Sequence, residues 1–129
     1  MSESGFGKQF FDRHMEYIVA KDMEGMIKDT YTEDAALYNA FQFLDMPPPN
    51  VITGHDVLIK VFEQYLEYQG EIQVTSLYNF LDTPEVISFQ ATFISPKTGN
   101  WAAGDTWLMR GEKIYRHWEH PSFALSTNT

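Results

Sequence analysis

Residues 71–120 read EIQVTSLYNF LDTPEVISFQ ATFISPKTGN WAAGDTWLMR GEKIYRHWEH. Apolar residues recur at every second position, the period of a strand with one buried face. Ile72, Val74, Ser76, Tyr78 and Phe80 share one side of Glu71–Leu81. Ile87, Phe89, Ala91 and Phe93 share one face of Val86–Ser95, and Trp101, Ala103, Asp105, Trp107 and Met109 one face of Asn100–Arg110. Asp82-Thr83-Pro84, Pro96-Lys97-Thr98-Gly99 and Gly111-Glu112 separate these runs. Turns this short join antiparallel neighbours, so the stretch predicts a four-strand meander closed by Lys113–His120 and ended at Pro121.

Working outward, the preceding half changes period. Lys8–Ala20 places Phe11, Met15 and Ile18 on one helical stripe, with Phe10, His14 and Tyr17 beside it. A second helix is expected over Met23–Thr30, with Met23, Met26 and Ile27 on one face. Asp34–Asn39 alternates like a strand. Phe41–Asn50 follows, with three consecutive prolines that admit neither helix nor central strand. Its two Phe, Leu and Met suit a loop that covers something. Thr53, with Asp56 three residues on, predicts the start of a third helix. Leu58, Val61, Phe62, Tyr65 and Leu66 form its stripe to about Tyr68, and Gly70 ends it. Residues 1–7 and 122–129 read as flexible tails of one domain spanning 1–129. Three early helices and a late sheet make the class α+β, with a cone-shaped, curved antiparallel sheet wrapped around the three helices.

Composition narrows the functions. The chain has 129 residues, a formal net charge of −9 and no cysteine. Such a charge repels phosphate backbones and anionic bilayers, so neither nucleic acid nor membrane is an expected partner. Without cysteine there is no disulfide framework, thiol nucleophile or thiolate metal site. No apolar run is long enough to span a bilayer and no secretion signal is evident, so cytoplasm is the expected compartment. Aromatics make up 16% of residues, a share that suits an aromatic-lined cavity for a small hydrophobic molecule.

Four segments carry a resemblance. Ala20–Met26, Tyr31-Thr32-Glu33-Asp34-Ala35, Thr53–Leu58 and the ending Arg110–Glu119 stand in the order and spacing of the nuclear-transport-factor-2-like superfamily. Within it the chain resembles the SnoaL-like cyclases, isomerases and dehydratases, over residues 8–121. The resemblance implies the cone-shaped fold, a pocket inside it, and homodimers. It does not decide between an enzyme, a ligand binder and an association module, because this fold hosts all three.

Polar residues at apolar positions are the candidate site. His14 has Phe10, Phe11, Tyr17 and Ile18 as helical neighbours, and is either a satisfied core histidine or an acid–base group. In the resembled ketosteroid isomerases the matching position is a hydrogen-bonding Tyr. Asp105 lies between two Trp on a strand face, so it pairs, protonates or works, unless the strand turns its other face inward. His117 and Glu119 point the same way, opposite to Trp118 and His120. Apolar content slightly favours Trp118 facing in; the family register favours His117 and Glu119, with Glu119 as base. Asn39 stands where ketosteroid isomerases carry a proton-shuttling Asp, and an amide accepts no proton at neutral pH. Phe10, Tyr17, Phe62, Phe89, Trp101 and Trp107 are the expected apolar wall.

His55 reads as a surface residue at a helix start. No metal is expected, since His117 and His120 face opposite ways, and no cofactor motif is present. The expected chemistry is acid–base isomerisation, cyclisation or dehydration of a hydrophobic or polyketide-like molecule, with Glu119 or His14 as base and Asp105 as protonated donor. The alternatives are a non-catalytic ligand-binding module and self-association through the outer sheet face, with Tyr78, Phe80 and Trp118.

Overall fold

The computed structural model describes residues 5–39 and 50–124. Three helices, α1 (Phe6–Ala20), α2 (Met23–Thr30) and α3 (His55–Gln69), pack on one face of a curved, unclosed six-strand sheet. The strands are β1 (Tyr31–Tyr38), β2 (Val51–Thr53), β3 (Gln73–Asp82), β4 (Val86–Ser95), β5 (Gly99–Arg110) and β6 (Lys113–Ala124). Their spatial order is β2-β1-β6-β5-β4-β3, antiparallel throughout except where β1 runs parallel to β6. The fold is α+β, as the sequence predicts. Among the described residues no helix is long and apolar enough to cross a membrane.

The expected stripes are the buried ones. Phe10, Phe11, Met23, Met26, Ile27, Leu58, Val61 and Phe62 meet Ile87, Phe89, Trp107, Met109 and Ile114 in one core. At roughly 25 cal/mol for each Å² of apolar surface removed from water, this burial is the dominant stabilising term. Trp107 is at its centre, with Phe10, Phe89 and His14 in edge or tilted ring contact. Such geometries suit the quadrupoles of the rings.

Several boundaries differ from expectation, each for a local reason. α1 starts at Phe6, inside the segment expected to be a tail. Its N-cap Gly5 makes no side-chain cap bond; instead Asp82, at the end of β3, accepts the amides of Gly7 at 3.0 Å and Lys8 at 3.3 Å. Thr53 is exposed and does not cap α3. As the last residue of β2 it pairs with Ala36 of β1, and the Gly54 amide still bonds Ala35 O at 3.2 Å, so the chain leaves the sheet only at Gly54. Gly54 turns into the helix with φ +90°, a conformation L side chains rarely adopt. β1 begins at Tyr31, directly after α2, rather than at Asp34.

The alternation expected along β3 is interrupted twice. Register shifts lie between Val74 and Ser76 and between Tyr78 and Leu81, the second with Asn79 at φ +53°. Each extra residue reverses the phase. Leu77 and Phe80 therefore turn to the core, and Ser76 and Tyr78 are exposed. Phe80 packs against Phe11 and is not part of an outer apolar patch. β6 continues through Pro121 to Ala124. A register shift between Ala102 and Gly104 absorbs the proline, which has no amide to give to the ladder. The loop expected to cover the pocket lies, from residue 40 to 49, outside the described residues.

Candidate active site

The concave face of the sheet and the helices enclose a cavity of about 90 Å³. α1 lines it with Phe11, His14, Met15 and Ile18, and α3 with Phe62 and Tyr65. The sheet adds Val74, Phe89, Phe93, Ala103 and Trp107, and Ile72 adds a wall just before β3. The three acid–base groups Asp105, His117 and Glu119 complete the lining.

Strand register brings these three together. Asp105 on β5 pairs directly with Glu119 on β6, and the next pair on the same face is Trp107 with His117. Side chains two apart on a strand share a face, so Asp105 and Trp107, like His117 and Glu119, point inward together. The question of which face of the last strand lines the pocket is answered by burial. His117 is 3% exposed and fills the cavity floor, whereas Trp118 stacks on Tyr38 with ring centroids 4.4 Å apart.

The polar groups form a chain. His117 Nε2 lies 2.9 Å from Asp105 Oδ1, and His117 Nδ1 lies 2.8 Å from the Tyr31 hydroxyl. Tyr31 is fully buried; burial, then the charges of Asp105 and Glu119, push its phenol well above the ordinary tyrosine range. Tyr31 thus keeps its O–H; in a neutral imidazole whose Nε2–H is given to the Asp105 carboxylate, Nδ1 accepts from that O–H. On the other side of Asp105, burial foremost, then the charge of Asp105 and the hydrogen bond between them, raise Glu119 well above the usual carboxylate range. Glu119 thus holds the proton of the carboxyl pair. Tyr65 is also raised, chiefly by burial, and keeps its phenol proton.

His14 faces the same cavity from α1. It is 4% exposed, its ring is 4.7 Å from that of Trp107, and its pKa is lowered to about 3, first by burial and then by His117. It is neutral at physiological pH. His14 Nδ1 and Trp107 Nε1 are buried without a hydrogen-bond partner among the described residues. Native interiors rarely leave such groups unpaired.

Of the sequence-predicted residues, Asp105, His14, Glu119, His117, Trp107, Phe89 and Phe62 are thus on one cavity. Four others are not on its wall. Phe10 is fully buried behind Trp107. Tyr17 turns toward α2, donating to Asp29 at 2.8 Å beside Arg13. Trp101 ties the β4–β5 hairpin through Thr98 at 2.7 Å. Asn39 follows β1, its amide bonded to Asn50 O at 2.7 Å. His55 is not a mere surface residue: its Nε2–H reaches the carbonyls of both Tyr31 and Thr32 at 3.0 Å, holding the start of α3 to β1. Tyr31 and Tyr65 were not anticipated. Tyr65 was readable from the α3 stripe, but Tyr31 was not, because the β1–β6 register shifts between Tyr31 and Ala36.

The nearest ligand atoms of Asp105, His117 and Glu119 lie within 4.8 Å of one another, so this set is the one cluster among the described residues that suits a divalent cation. The three are already joined by their own hydrogen bonds, and a cation there would have to displace the Glu119 proton.

No protein-family model matches the chain, and no curated protein matches it in sequence. Solved structures do match. An NTF2-like protein from Anabaena variabilis aligns with 93% of this chain and 92% of its own, at 17% identity and a TM-score of 0.68. The chain has the NTF2-like fold. Within that fold it is also similar to IdmH, a candidate polyketide cyclase from Streptomyces antibioticus (13% identity, 91% of this chain and 90% of that one, TM-score 0.70). TerC, crystallised with polyporic acid, aligns at 12% identity over 89% of this chain and 90% of its own, with a TM-score of 0.67. At these identities the likeness is one of NTF2-like architecture, and function has to be argued from the cavity.

Proposed function

We propose that the cavity is an acid–base active site for a small, neutral, largely apolar molecule bearing a carbonyl or enol oxygen, and that the reaction is an isomerisation, cyclisation or dehydration through an enol. The observation that carries this reading is the Asp105–Glu119 pair, two carboxyl groups directly opposite each other in an apolar hollow, with burial and its neighbour raising Glu119. Unequal carboxyls in one site are how one fold supplies an acid and a base together at neutral pH. Structural neighbours named as a candidate polyketide cyclase and as crystallised with polyporic acid fit the substrate class.

The roles follow from where the protons are. Asp105 takes the proton from the carbon beside the substrate carbonyl. Glu119, which donates to Asp105 at rest, turns its proton to the carbonyl oxygen and gives the enol. Return of a proton at another carbon, loss of a β-hydroxyl, or attack on a second carbonyl completes the three reaction types. This reverses the division expected from sequence, in which Glu119 is the base and Asp105 the donor. His14 is a poor base, because burial disfavours its imidazolium; as a neutral ring it hydrogen-bonds and orients the substrate. Tyr31 and His117 hold the Asp105 carboxylate in place. A donor at the developing oxyanion contributes about 3–4 kcal/mol and general acid–base catalysis about 10²–10⁴-fold.

The test is exchange of α-protons of cyclic enones and 1,3-diketones in D₂O, followed by NMR, for wild type, Asp105→Asn and Glu119→Gln. Both variants are expected to lose about a hundredfold or more of the exchange rate. Exchange that survives both substitutions would remove the catalytic reading. The second reading, a ligand-binding domain without turnover, is favoured by the completeness of the Tyr31–His117–Asp105–Glu119 chain. Under that reading both variants bind the same ketones as wild type, and none of the three proteins promotes exchange.

A further inference from the structure

The cavity is too small for the whole of an ordinary ligand. Sites for drug-sized molecules are typically about 300–1,000 Å³, and this one is about 90 Å³. A second hollow of about 190 Å³ lies against it, between the C-terminal half of α1 and the segment that joins α3 to β3. The two share Met15, Ile18 and Ile72 as walls, so these half-buried side chains lie at the boundary between them. The outer hollow continues the apolar lining with Val19 and Leu66, and its charged groups are Lys21 and Glu71. Those two form an ion pair at 3.2 Å, with side chains 60% and 78% exposed. An exposed pair of this kind is weak and opens readily.

From this geometry we infer that the site takes an elongated ligand, with a neutral oxygen-bearing ring at Asp105 and Glu119 and an unbranched apolar chain running out past Met15, Ile18 and Ile72 beneath the Lys21–Glu71 pair. This rests on the acid–base reading for the head of the ligand and extends it to the tail. Polarity runs one way along the path: carboxyl, imidazole and phenol groups at the inner end, aliphatic and aromatic walls between, and solvated charges of opposite sign at the rim. A compact polycycle fits neither the inner volume nor this gradient, and an anionic head meets two carboxyl groups in an already acidic protein.

The experiment is calorimetric titration of the protein with 4-ethyl-, 4-butyl- and 4-hexylphenol, a head that is not turned over carrying tails of graded length. Affinity is expected to rise roughly fourfold per methylene, the factor that about 0.8 kcal/mol per buried methylene corresponds to. Ile72→Trp, which narrows the boundary, is expected to cost hexylphenol tenfold or more and ethylphenol distinctly less. Val19→Trp, at a position 77% exposed where folding is not at stake, is expected to do the same more weakly. Chain-length independence, equal losses for short and long tails, or no binding of any alkylphenol each overturns the inference. Failure of the acid–base reading is read elsewhere: ketone exchange that survives both Asp105→Asn and Glu119→Gln removes the chemistry and leaves the chain-length slope standing.

Discussion

Asp105 and Glu119 face each other across β5 and β6 as a directly paired couple, and the pair keeps its proton on Glu119. In the unfolded chain Glu119 releases that proton near pH 4.3. Above this pH the folded state binds more protons than the unfolded one, so the stability that Glu119 contributes is complete below about pH 4 and is lost as pH rises through its raised value, by at most about 1.4 kcal/mol per pH unit. Gln at 119 cannot titrate and can still donate to Asp105. The stability of Glu119→Gln relative to wild type is therefore expected to improve as pH rises above about 4 and to level off once pH passes the raised Glu119 value. Urea denaturation at five or six pH values measures it; a difference that does not move with pH would mean that Glu119 ionises normally.

Because Asp105 is one of the causes of the raised value, Asp105→Asn is expected to lower it, though not to the ordinary range, since burial is the larger cause and remains. Carboxyl infrared bands or ¹³C shifts of labelled glutamate report the change. In ketone exchange the same logic gives a basic limb: the rate falls as pH rises through the Glu119 value, and the limb is absent in Glu119→Gln.

The strand period made Asp105, His117 and Glu119 legible as residues on shared faces, because two antiparallel strands with a short turn have few registers to choose from. Their pairing was not legible, since Glu119 opposite Asp105 depends on the shift between Leu108 and Met109. Bulges hid other features for the same reason. The reversal of phase along β3 and the placement of Tyr31 under His117 both follow register shifts, which leave no mark in an alternation pattern. The α1 cap was invisible because its donor and acceptor are about 75 residues apart. What the sequence pattern conveyed well was burial; what it missed was which buried group meets which.

That α1 cap gives a direct stability test. Asp82 accepts two amides of the first turn and also sits favourably at the positive end of the helix dipole. Asp82→Ala is expected to cost about 0.5–2 kcal/mol, the range for losing a helix cap, and Asp82→Asn less, because the amide oxygen still accepts. Equilibrium denaturation measures both. A neutral Asp82→Ala would show that the start of α1 contributes little to the fold.

Tyr31→Phe removes one oxygen from a fully buried ring. His117 Nδ1 then has a lone pair in the core with no donor, a loss of about 1–3 kcal/mol. Asp105 still accepts from Nε2–H and no acceptor among the described residues faces Nδ1, so the Nε2–H tautomer is expected to persist while the ring loses one of its two anchors. Long-range ¹H–¹⁵N spectra of His117 read the tautomer. A shift to the Nδ1–H tautomer in Tyr31→Phe would show that Tyr31, rather than Asp105, fixes the proton.

His14 separates a working group from a structural one. Its pKa is lowered from 6.5 to about 3, so between these values the unfolded chain binds a proton that the folded chain refuses. Stability from this source is intact above pH 6.5 and is lost as pH falls toward 3, by up to about 1.4 kcal/mol per unit. A histidine kept only for packing would have a bonded ring, yet His14 Nδ1 has no partner among the described residues. Replacing an unsatisfied buried polar group by an apolar one of similar size relieves a penalty of about 1–3 kcal/mol. His14→Leu is therefore expected to be more stable than wild type at pH 7, with the margin widening toward pH 4, while alkylphenol affinity and ketone exchange fall. Calorimetric melting and titration on the same samples decide it. A less stable His14→Leu that binds and turns over normally would make His14 part of the core and leave the carboxyl pair to orient the ligand alone.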